Sequence, residues 1–183
     1  MKHCTRLPMS FDASLLDDVE LRFHRTYIKP QKYNRGLDEK FTSVPTETFS
    51  LPENLTRHYI RSLPKAVLDI EVPHVFVLTM KACNADLPLL PAHVDFNRSC
   101  GINFYIEASG ETTHYYDWNA EEKSLTEVER FVAEQGDSWL MDTSVPHSVT
   151  LVPHQARKML TFSFVKAKYS SIKDALEGSM ASA

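Results

Sequence analysis

The sequence predicts a mostly β (α+β) fold: a double-stranded β-helix, or jelly roll, with an N-terminal helical segment that buttresses one sheet. From residue 70 onward, apolar and β-branched residues occur in short runs that turn residues separate, which is typical of an all-β region. About seven or eight such runs follow one another, enough for two packed sheets. The first 70 residues instead mix helical and loop signals.

The N-terminal segment is predicted to contain two helices joined by a loop. In residues 12–27, apolar side chains recur at helical spacing. Residues 52–67 are also typical of a helix, with Pro52 near its start and Pro64 near its end. Between residues 29 and 53, recurring prolines and a glycine predict a loop with short extended pieces.

The predicted strands follow in order. They cover residues 72–82, 90–96, 100–108, 111–118, 127–143 (two strands, divided at Gly136-Asp137), 147–152 and 157–167. The last two are expected to form a hairpin around Pro153. Residues 114–123, rich in aromatic and polar groups, are expected to form either a lid or an ordinary surface loop. The polar, Ala-rich tail is expected to end in disorder or a short helix.

Length and composition predict a single domain, residues 1–183, with a lead-in (1–70), a jelly-roll core (71–167) and a tail (168–183). A hydrophobic content of 43% and a charged content of 24% are typical of a soluble globular protein. The net charge of -4 argues against a nucleic-acid binder that depends on phosphate contacts. No apolar run approaches the ~18 residues of a membrane span, and the N-terminus lacks the apolar region of a signal peptide.

The three cysteines are Cys4, Cys83 and Cys100, and they form no CxxC pair. A sparse, odd set favours free thiols in a reducing compartment over a disulfide framework, so a cytoplasmic location is expected. Cys100 lies close in sequence to His93 and Asp95, so one interpretation makes it a thiolate metal ligand. A small buried thiol is the commoner fate of such a cysteine.

A candidate metal site begins in the stretch PAHVDFN, where His93 and Asp95 stand two residues apart. On a strand, such residues point to the same face and could share one ion. A third ligand could come from His147, which lies 52 residues after Asp95 at the start of a predicted strand, or from His114, which is expected at a rim. Two imidazoles and one carboxylate form the facial triad of non-haem Fe(II) oxygenases, but they also suit Zn or Mn.

Arg157 lies ten residues after His147, on the strand expected to pair with the His147 strand. Its guanidinium could bind one end of a dicarboxylate whose other end chelates the metal. A buried arginine without an anionic partner would be costly, so its position calls for an anion. Thr161 or Ser163, on the same face of the strand, could add a hydroxyl donor.

The order and spacing of four residues resemble the pattern of the Fe(II)/2-oxoglutarate-dependent oxygenases; they are His93, Asp95, His147 and Arg157. The stretch GDSWLMDTSVPHSVTLV (136–152) resembles the Gly-rich turn, strand and ligand-His strand of the prolyl- and aspartyl-hydroxylase-like branch. AHVDFNRSCGINFYIE (92–107) resembles the strand pair that opens with His-x-Asp there. The resemblance covers roughly residues 72–165.

The resemblance implies that His93, Asp95 and His147 bind Fe(II) and that Arg157 binds the distal carboxylate of 2-oxoglutarate, with O2 at the last open position. Hydroxylation of a substrate would accompany release of succinate and CO2. Because Asp95 is a carboxylate, hydroxylation is expected rather than the halogenation of relatives that carry a small residue there. The substrate, whether small molecule, amino acid or peptidyl side chain, stays open.

Further contacts to 2-oxoglutarate are expected from Asn103 and Tyr105, which share one face of a predicted strand, and from Thr161. An equally open interpretation makes Asn103 and Tyr105 a polar pair that is satisfied within the sheet. Arg98, after the turn, could meet an acidic substrate, but it is rather expected to be an exposed loop arginine. Two alternatives also stay open for the whole chain: a cupin-like metal enzyme that does not use 2-oxoglutarate, and a jelly-roll binding module without catalysis.

Overall fold

A computed structural model describes residues 2–27, 41–43, 45–82 and 87–181. Within these ranges the chain forms twelve strands, three α-helices and a short 3-10 helix (Ala13–Leu16). The strands are β1 (Cys4–Leu7), β2 (Arg22–Tyr27), β3 (Phe41–Ser43), β4 (Thr46–Ser50), β5 (His74–Met80), β6 (Leu87–His93), β7 (Cys100–Glu107), β8 (Thr112–Asn119), β9 (Ser124–Val132), β10 (Ser138–Asp142), β11 (His147–Thr150) and β12 (Arg157–Phe164). The helices are α1 (Glu53–Arg61), α2 (Lys65–Ile70) and α3 (Tyr169–Ala181).

The strands form two sheets. The larger has the order β1-β10-β7-β12-β5-β4-β2, and the smaller has the order β3-β6-β11-β8-β9. Neighbouring strands are antiparallel, except that β3 pairs with β6 in parallel. From β5 to β12 the chain passes repeatedly from one sheet to the other, which is the connectivity of a double-stranded β-helix. The predicted jelly roll is therefore confirmed.

Two apolar clusters lie on the two faces of the larger sheet. The outer cluster joins the sheet to the helices, with Phe162 from β12 and Val67 from α2 among its members. The inner cluster lies between the sheets and includes Met159 from β12 and Val149 from β11. Successive residues of a strand point to opposite faces, so β12 contributes to both clusters. The helices thus buttress one sheet, as predicted.

The inward face of β12 is unusual because it is both buried and polar. Arg157, Thr161 and Ser163 lie on it and are 2%, 0% and 6% exposed, respectively. Buried polar groups are costly unless they are paired. This strip therefore marks the part of the interior where a functional site is expected.

The strand predictions are confirmed for the most part, since each predicted strand from residue 72 onward has a counterpart in β5 to β12. The second predicted helix, 52–67, is divided into α1 and α2, because Pro64 has no N–H to donate within a helix. Where the loop predicted between 29 and 53 is described, it contains the short strands β3 and β4; residues 28–40 and 44 lie outside the described ranges.

Two local predictions are wrong, and a third is correct in one of its two alternatives. The helix expected over residues 12–27 is replaced by the 3-10 helix and by β2, whose backbone groups pair with β4. The lid or loop expected over residues 114–123 is largely a strand, because residues 114–119 belong to β8 and only residues 120–123 form the turn to β9. The tail forms the helix α3, which packs Ile172 and Leu176 into the outer cluster, so only the alternative of a helix is correct.

The expected hairpin around Pro153 is also wrong. β11 pairs with β6 and β8 in the smaller sheet, whereas β12 pairs with β5 and β7 in the larger one. The turn after β11 therefore carries the chain across the interior to the facing sheet. Arg157 and His147 consequently face each other from opposite sheets instead of lying on paired strands.

None of the helices in the described ranges combines the length and apolar content that a membrane crossing requires.

Candidate metal centre

His93, Asp95 and His147 come together at one end of the space between the sheets. His93 ends β6, His147 begins β11, and the antiparallel register places the two residues directly opposite each other. Their ring centroids are 4.3 Å apart. His93 Nε2 lies 3.6 Å from Asp95 Oδ1, and one ligand atom from each of the three buried residues lies within 4.8 Å of the others.

The two imidazoles are oriented in the same way by their own backbone. His93 Nδ1 lies 2.7 Å from the Pro91 carbonyl oxygen, and His147 Nδ1 lies 2.9 Å from the Val145 carbonyl oxygen. A carbonyl oxygen can only accept, so in each hydrogen bond Nδ1 carries the proton and donates. The lone pair is then on Nε2, which is the arrangement that a metal-binding histidine needs.

Asp95 is held by Arg98. Arg98 Nε donates to Asp95 Oδ2 over 2.5 Å, while Asp95 Oδ1 is the oxygen nearer to His93. The expectation that Arg98 is an exposed loop arginine is wrong, because its side chain is only 13% exposed. The guanidinium therefore holds the Asp95 carboxylate in place beside His93.

Gly101 on β7 makes room for this arginine. A Cβ atom at this position would lie 3.3 Å from Arg98 Nη1 and 3.1 Å from the Phe162 carbonyl oxygen. Both separations are tighter than ordinary van der Waals contact, so a larger residue would displace Arg98 or separate the strands. The glycine therefore allows Arg98 to lie against β7 and reach Asp95.

The donor set fits a first-row divalent metal. Two neutral imidazole nitrogens and one carboxylate suit Fe(II), Mn(II) or Zn(II). Each of the three side chains is oriented by a hydrogen bond within the protein. The geometry thus favours a mononuclear site with further positions for exogenous ligands.

Arg157 is buried near this centre but is already paired. Its Nε lies 3.0 Å from Glu111 Oε1, and both side chains are almost fully buried, at 2% and 0% exposure. The two atoms attract as charges, although their alignment is not that of a hydrogen bond. Arg157 Nη2 donates to the Tyr105 hydroxyl over 2.9 Å. The anion that its burial calls for is therefore available within the protein, from Glu111.

Asn103, Met141 and Thr161 form a short polar chain beside the same cavity. Thr161 Oγ1 donates to Asn103 Oδ1 over 3.0 Å, and Asn103 Nδ2 donates to Met141 Sδ over 2.9 Å. Asn103 and Thr161, which were both expected to contact a co-substrate, bond each other in the structure. This agrees with the alternative of a satisfied polar set within the sheet.

The cavity itself is small. It is about 30 Å³ in volume, and the polar residues in its wall are Thr46, His93, Arg98, Asn103, His147 and Arg157. Three methionine side chains, from Met80, Met141 and Met159, line it as well. Such a volume holds about one water molecule. A larger ligand requires the flexible methionine side chains to change rotamer.

Tyr115 is a neighbour of the centre that the sequence analysis did not identify. It pairs with His147 in register, and their ring centroids are 6.0 Å apart. The side chain is fully buried, and its hydroxyl has no hydrogen-bond partner among the described residues. Burial raises the pKa of the Tyr115 hydroxyl well above its ordinary value, so the group stays protonated.

Glu111 and Tyr115 were missed for the same reason. They lie on one face of the segment that leads into β8, two residues to either side of Thr113, and all three are fully buried. The strand predicted over residues 111–118 already contained both residues, and its alternation places them with Thr113 on one face. The sequence did not indicate that this face lies beside the histidines and Arg157, because that proximity depends on how the two sheets pack.

Two other candidate ligands are placed away from the centre. His114 points to the opposite side of β8 from Tyr115, where its Nδ1 lies 2.8 Å from Glu127 Oε2 and its Nε2 lies 3.2 Å from Thr150 Oγ1. Cys100 belongs to the outer cluster, and its thiol donates to the Ala167 carbonyl oxygen over 3.3 Å. Burial raises the pKa of Cys100 to about 12, so a thiolate ligand is not favoured. Cys83 lies outside the described residues.

Comparison with known proteins supports the fold. No family model and no curated protein matches the chain. The crystal structure of an oxidoreductase of the 2OG-Fe(II) oxygenase family from Burkholderia pseudomallei is 11% identical, with a TM-score of 0.56 over 91% of this chain and 86% of that one. Fe(II) HppE in complex with substrate is 12% identical over 86% of this chain and 59% of that one, with a TM-score of 0.38. The 7S globulin of Momordica charantia is also 12% identical, over 67% of this chain and 30% of that one, with a TM-score of 0.38. At such identities only the first likeness bears on this chain, and it shows a shared fold.

Proposed function

We propose that the protein is an Fe(II)- and 2-oxoglutarate-dependent dioxygenase that hydroxylates a small molecule, an amino acid or a peptidyl side chain and releases succinate and CO2. One observation supports this most. A single cavity has both triad imidazoles, from His93 and His147, and the buried Arg157 in its wall. Iron and 2-oxoglutarate would supply the oxidative chemistry with O2, and the protein would supply orientation and a dry interior.

In this proposal His93, Asp95 and His147 hold Fe(II). The backbone bonds of the two imidazoles and the Arg98–Asp95 ion pair keep the three ligands in place. Because these supports are independent of the metal, little reorganisation would accompany its binding. The three ligands would leave the other side of the ion open to the co-substrate and O2.

Arg157 would bind the distal carboxylate of 2-oxoglutarate. Glu111 approaches its Nε, so the edge formed by the two terminal nitrogens remains suitable for a second carboxylate, although Tyr105 uses one of their hydrogens. Asn103 and Thr161 would exchange their mutual hydrogen bond, in part, for bonds to the co-substrate. Rotamer changes of the lining methionines would provide the volume.

The test is anaerobic addition of Fe(II) and 2-oxoglutarate, followed by the visible charge-transfer band of the chelate. We expect a band in the wild-type protein and its loss in His93→Ala and His147→Ala. Arg157→Ala should still bind metal but should lose the band at moderate 2-oxoglutarate concentrations. His114→Ala is the matched control, since this histidine lies outside the triad, and it should keep the band. Absence of the band from metal-loaded wild-type protein would refute the proposal.

A second candidate function is favoured by the Glu111–Arg157 pair and by the small cavity. A cupin-like metal enzyme that does not use 2-oxoglutarate would need no free arginine and little internal volume. It should bind Fe(II), Mn(II) or Zn(II) through the same triad. Metal binding that His93→Ala abolishes, together with no 2-oxoglutarate band and no succinate release under O2, would support this candidate instead.

A further inference from the structure

Glu111 is a fully buried carboxylate whose two oxygens have different roles. Oε1 lies 3.0 Å from Arg157 Nε, and Oε2 accepts a hydrogen bond from the Ser109 N–H over 2.9 Å. The residue stands directly before β8, just after Gly110, whose φ of +87° suits a tight turn. The backbone of Glu111 is anchored too, because its carbonyl oxygen accepts from the Ala133 N–H over 3.1 Å.

The pair with Arg157 is electrically balanced before any ligand arrives. Among the described residues, Arg157 makes polar contacts with Glu111 and with the neutral hydroxyl of Tyr105. A carboxylate that enters the cavity would gain the attraction of the guanidinium but would also meet the repulsion of Glu111. Both effects are strong at such a site, because little water screens charges that are 2% and 0% exposed.

We infer that Glu111 is an internal counter-anion that sets the affinity of Arg157 for the distal carboxylate of a short dicarboxylate. It is a positioning and specificity-determining residue, since it acts on a ligand through the arginine. The identification of that ligand as 2-oxoglutarate rests on the proposed function, whereas the electrostatic role does not. Glu111 keeps the arginine compensated in the empty protein and weakens the binding of every anion at this position.

The experiment measures binding of glutarate, a dicarboxylate without the keto group that chelates iron. Isothermal calorimetry is performed on protein freed of metal with EDTA. In Glu111→Gln the carboxamide keeps the shape and an acceptor oxygen but removes the charge, and we expect glutarate to bind at least about tenfold more tightly than in the wild type. Glu107→Gln is the matched control, since this carboxylate is exposed, and its affinity should be unchanged. Arg157→Gln should bind glutarate at least about tenfold more weakly.

A role in stability alone would give a different result. Glu111→Gln leaves a buried guanidinium without its counterion, so its melting temperature without ligand should fall and should rise by more than that of the wild type when glutarate is added. A lower melting temperature with unchanged or weaker glutarate binding would overturn the inference. If Glu111→Gln does not fold, Glu111→Asp carries the same test: its shorter side chain withdraws the charge, and glutarate should again bind more tightly.

This result and the test of the proposed function can fail separately. Tighter glutarate binding in Glu111→Gln, with no 2-oxoglutarate band in wild-type protein, would keep the role of Glu111 and reject the dioxygenase. A band in wild-type protein, with glutarate affinity unchanged by Glu111→Gln, would keep the dioxygenase and reject the role of Glu111.

Discussion

Replacing Tyr115 by Phe should stabilise the metal-free protein. The Tyr115 hydroxyl is fully buried and has no hydrogen-bond partner among the described residues. Tyr105 offers a matched comparison, because it is also fully buried and faces the same interior. Its hydroxyl, however, accepts a hydrogen bond from Arg157 over 2.9 Å. Both substitutions remove a buried hydroxyl oxygen, but only the one at Tyr105 also removes a hydrogen bond.

The magnitude follows from the desolvation of the hydroxyl. A buried polar group without a partner costs about 1–3 kcal/mol, which Tyr115→Phe would recover. The void left by the oxygen, roughly 15 Å³, would offset about 0.4 kcal/mol of this gain. We therefore expect the free energy of unfolding to rise by about 0.5–2.5 kcal/mol. Tyr105→Phe should lower it by about 1–3 kcal/mol, because it removes a hydrogen bond from a charged group.

The assay is urea denaturation at pH 7 in EDTA, with the slope m compared between variants. A stabilisation of 1 kcal/mol should raise the melting temperature by about 3 °C in a chain of this size. If Tyr115→Phe is as destabilising as Tyr105→Phe, the hydroxyl has a partner within the protein and the reasoning is refuted. The metal centre offers a second readout: weaker metal binding in the stabilised Tyr115→Phe protein would indicate that the hydroxyl serves a metal-bound ligand.

Three further outcomes are expected. Gly101→Ala should weaken Co(II) or Zn(II) binding about 10–100-fold, because its Cβ would lie 3.3 Å from Arg98 Nη1 and would disturb the arginine that supports the triad carboxylate; an unchanged metal titration would contradict this. Glu71 accepts three backbone N–H bonds at the end of β12, and although burial opposes it, these bonds lower the pKa of its carboxyl below the usual range. Glu71→Gln should therefore lower the free energy of unfolding by about 1–2 kcal/mol at pH 7, as measured by urea denaturation. The difference between variant and wild type should vanish as the pH falls through the lowered pKa of Glu71. A difference that persists at pH 2 would refute the stabilising role of the ionised Glu71 carboxylate. Burial is the main cause that raises the pKa of Cys4 and of Cys100 to about 12. In a Cys83→Ser variant, these two thiols should therefore react with a disulfide reagent at pH 8 only after the protein unfolds. Rapid reaction of the native protein would count against their burial.

The strands and the pair His93 and Asp95 of the candidate metal site were accessible from the sequence because they depend on local periodicity. The two-residue repeat of β5 to β12 places buried side chains on known faces, and His93 and Asp95 are close in the chain. The helix expected over residues 12–27 failed because backbone pairing of β2 with the distant β4 overrides the spacing of its apolar residues. The spacing of side chains along a strand does not specify which other strand will form hydrogen bonds with its backbone.

The expected hairpin of β11 and β12 failed for a related reason. Two strands joined by a short turn usually pair, but in a jelly roll the turn can cross to the facing sheet. That crossing places Arg157 opposite the triad, and it also leaves His147 between His93 and Tyr115. The sequence contained these residues and their order, while the sheet to which each strand belongs is a property of long-range pairing.

The sequence thus identified the candidate metal site, because the spacing of His93 and Asp95 suggests a ligand pair and the resemblance to a known family adds His147. Only the tertiary structure decided how the charges around it are balanced. Glu111, directly before β8 of the smaller sheet, and Arg157, on β12 of the larger sheet, are 46 positions apart in the chain, yet 3.0 Å apart in space. Charge interactions depend on distance and burial, and neither quantity exists until the two sheets have packed.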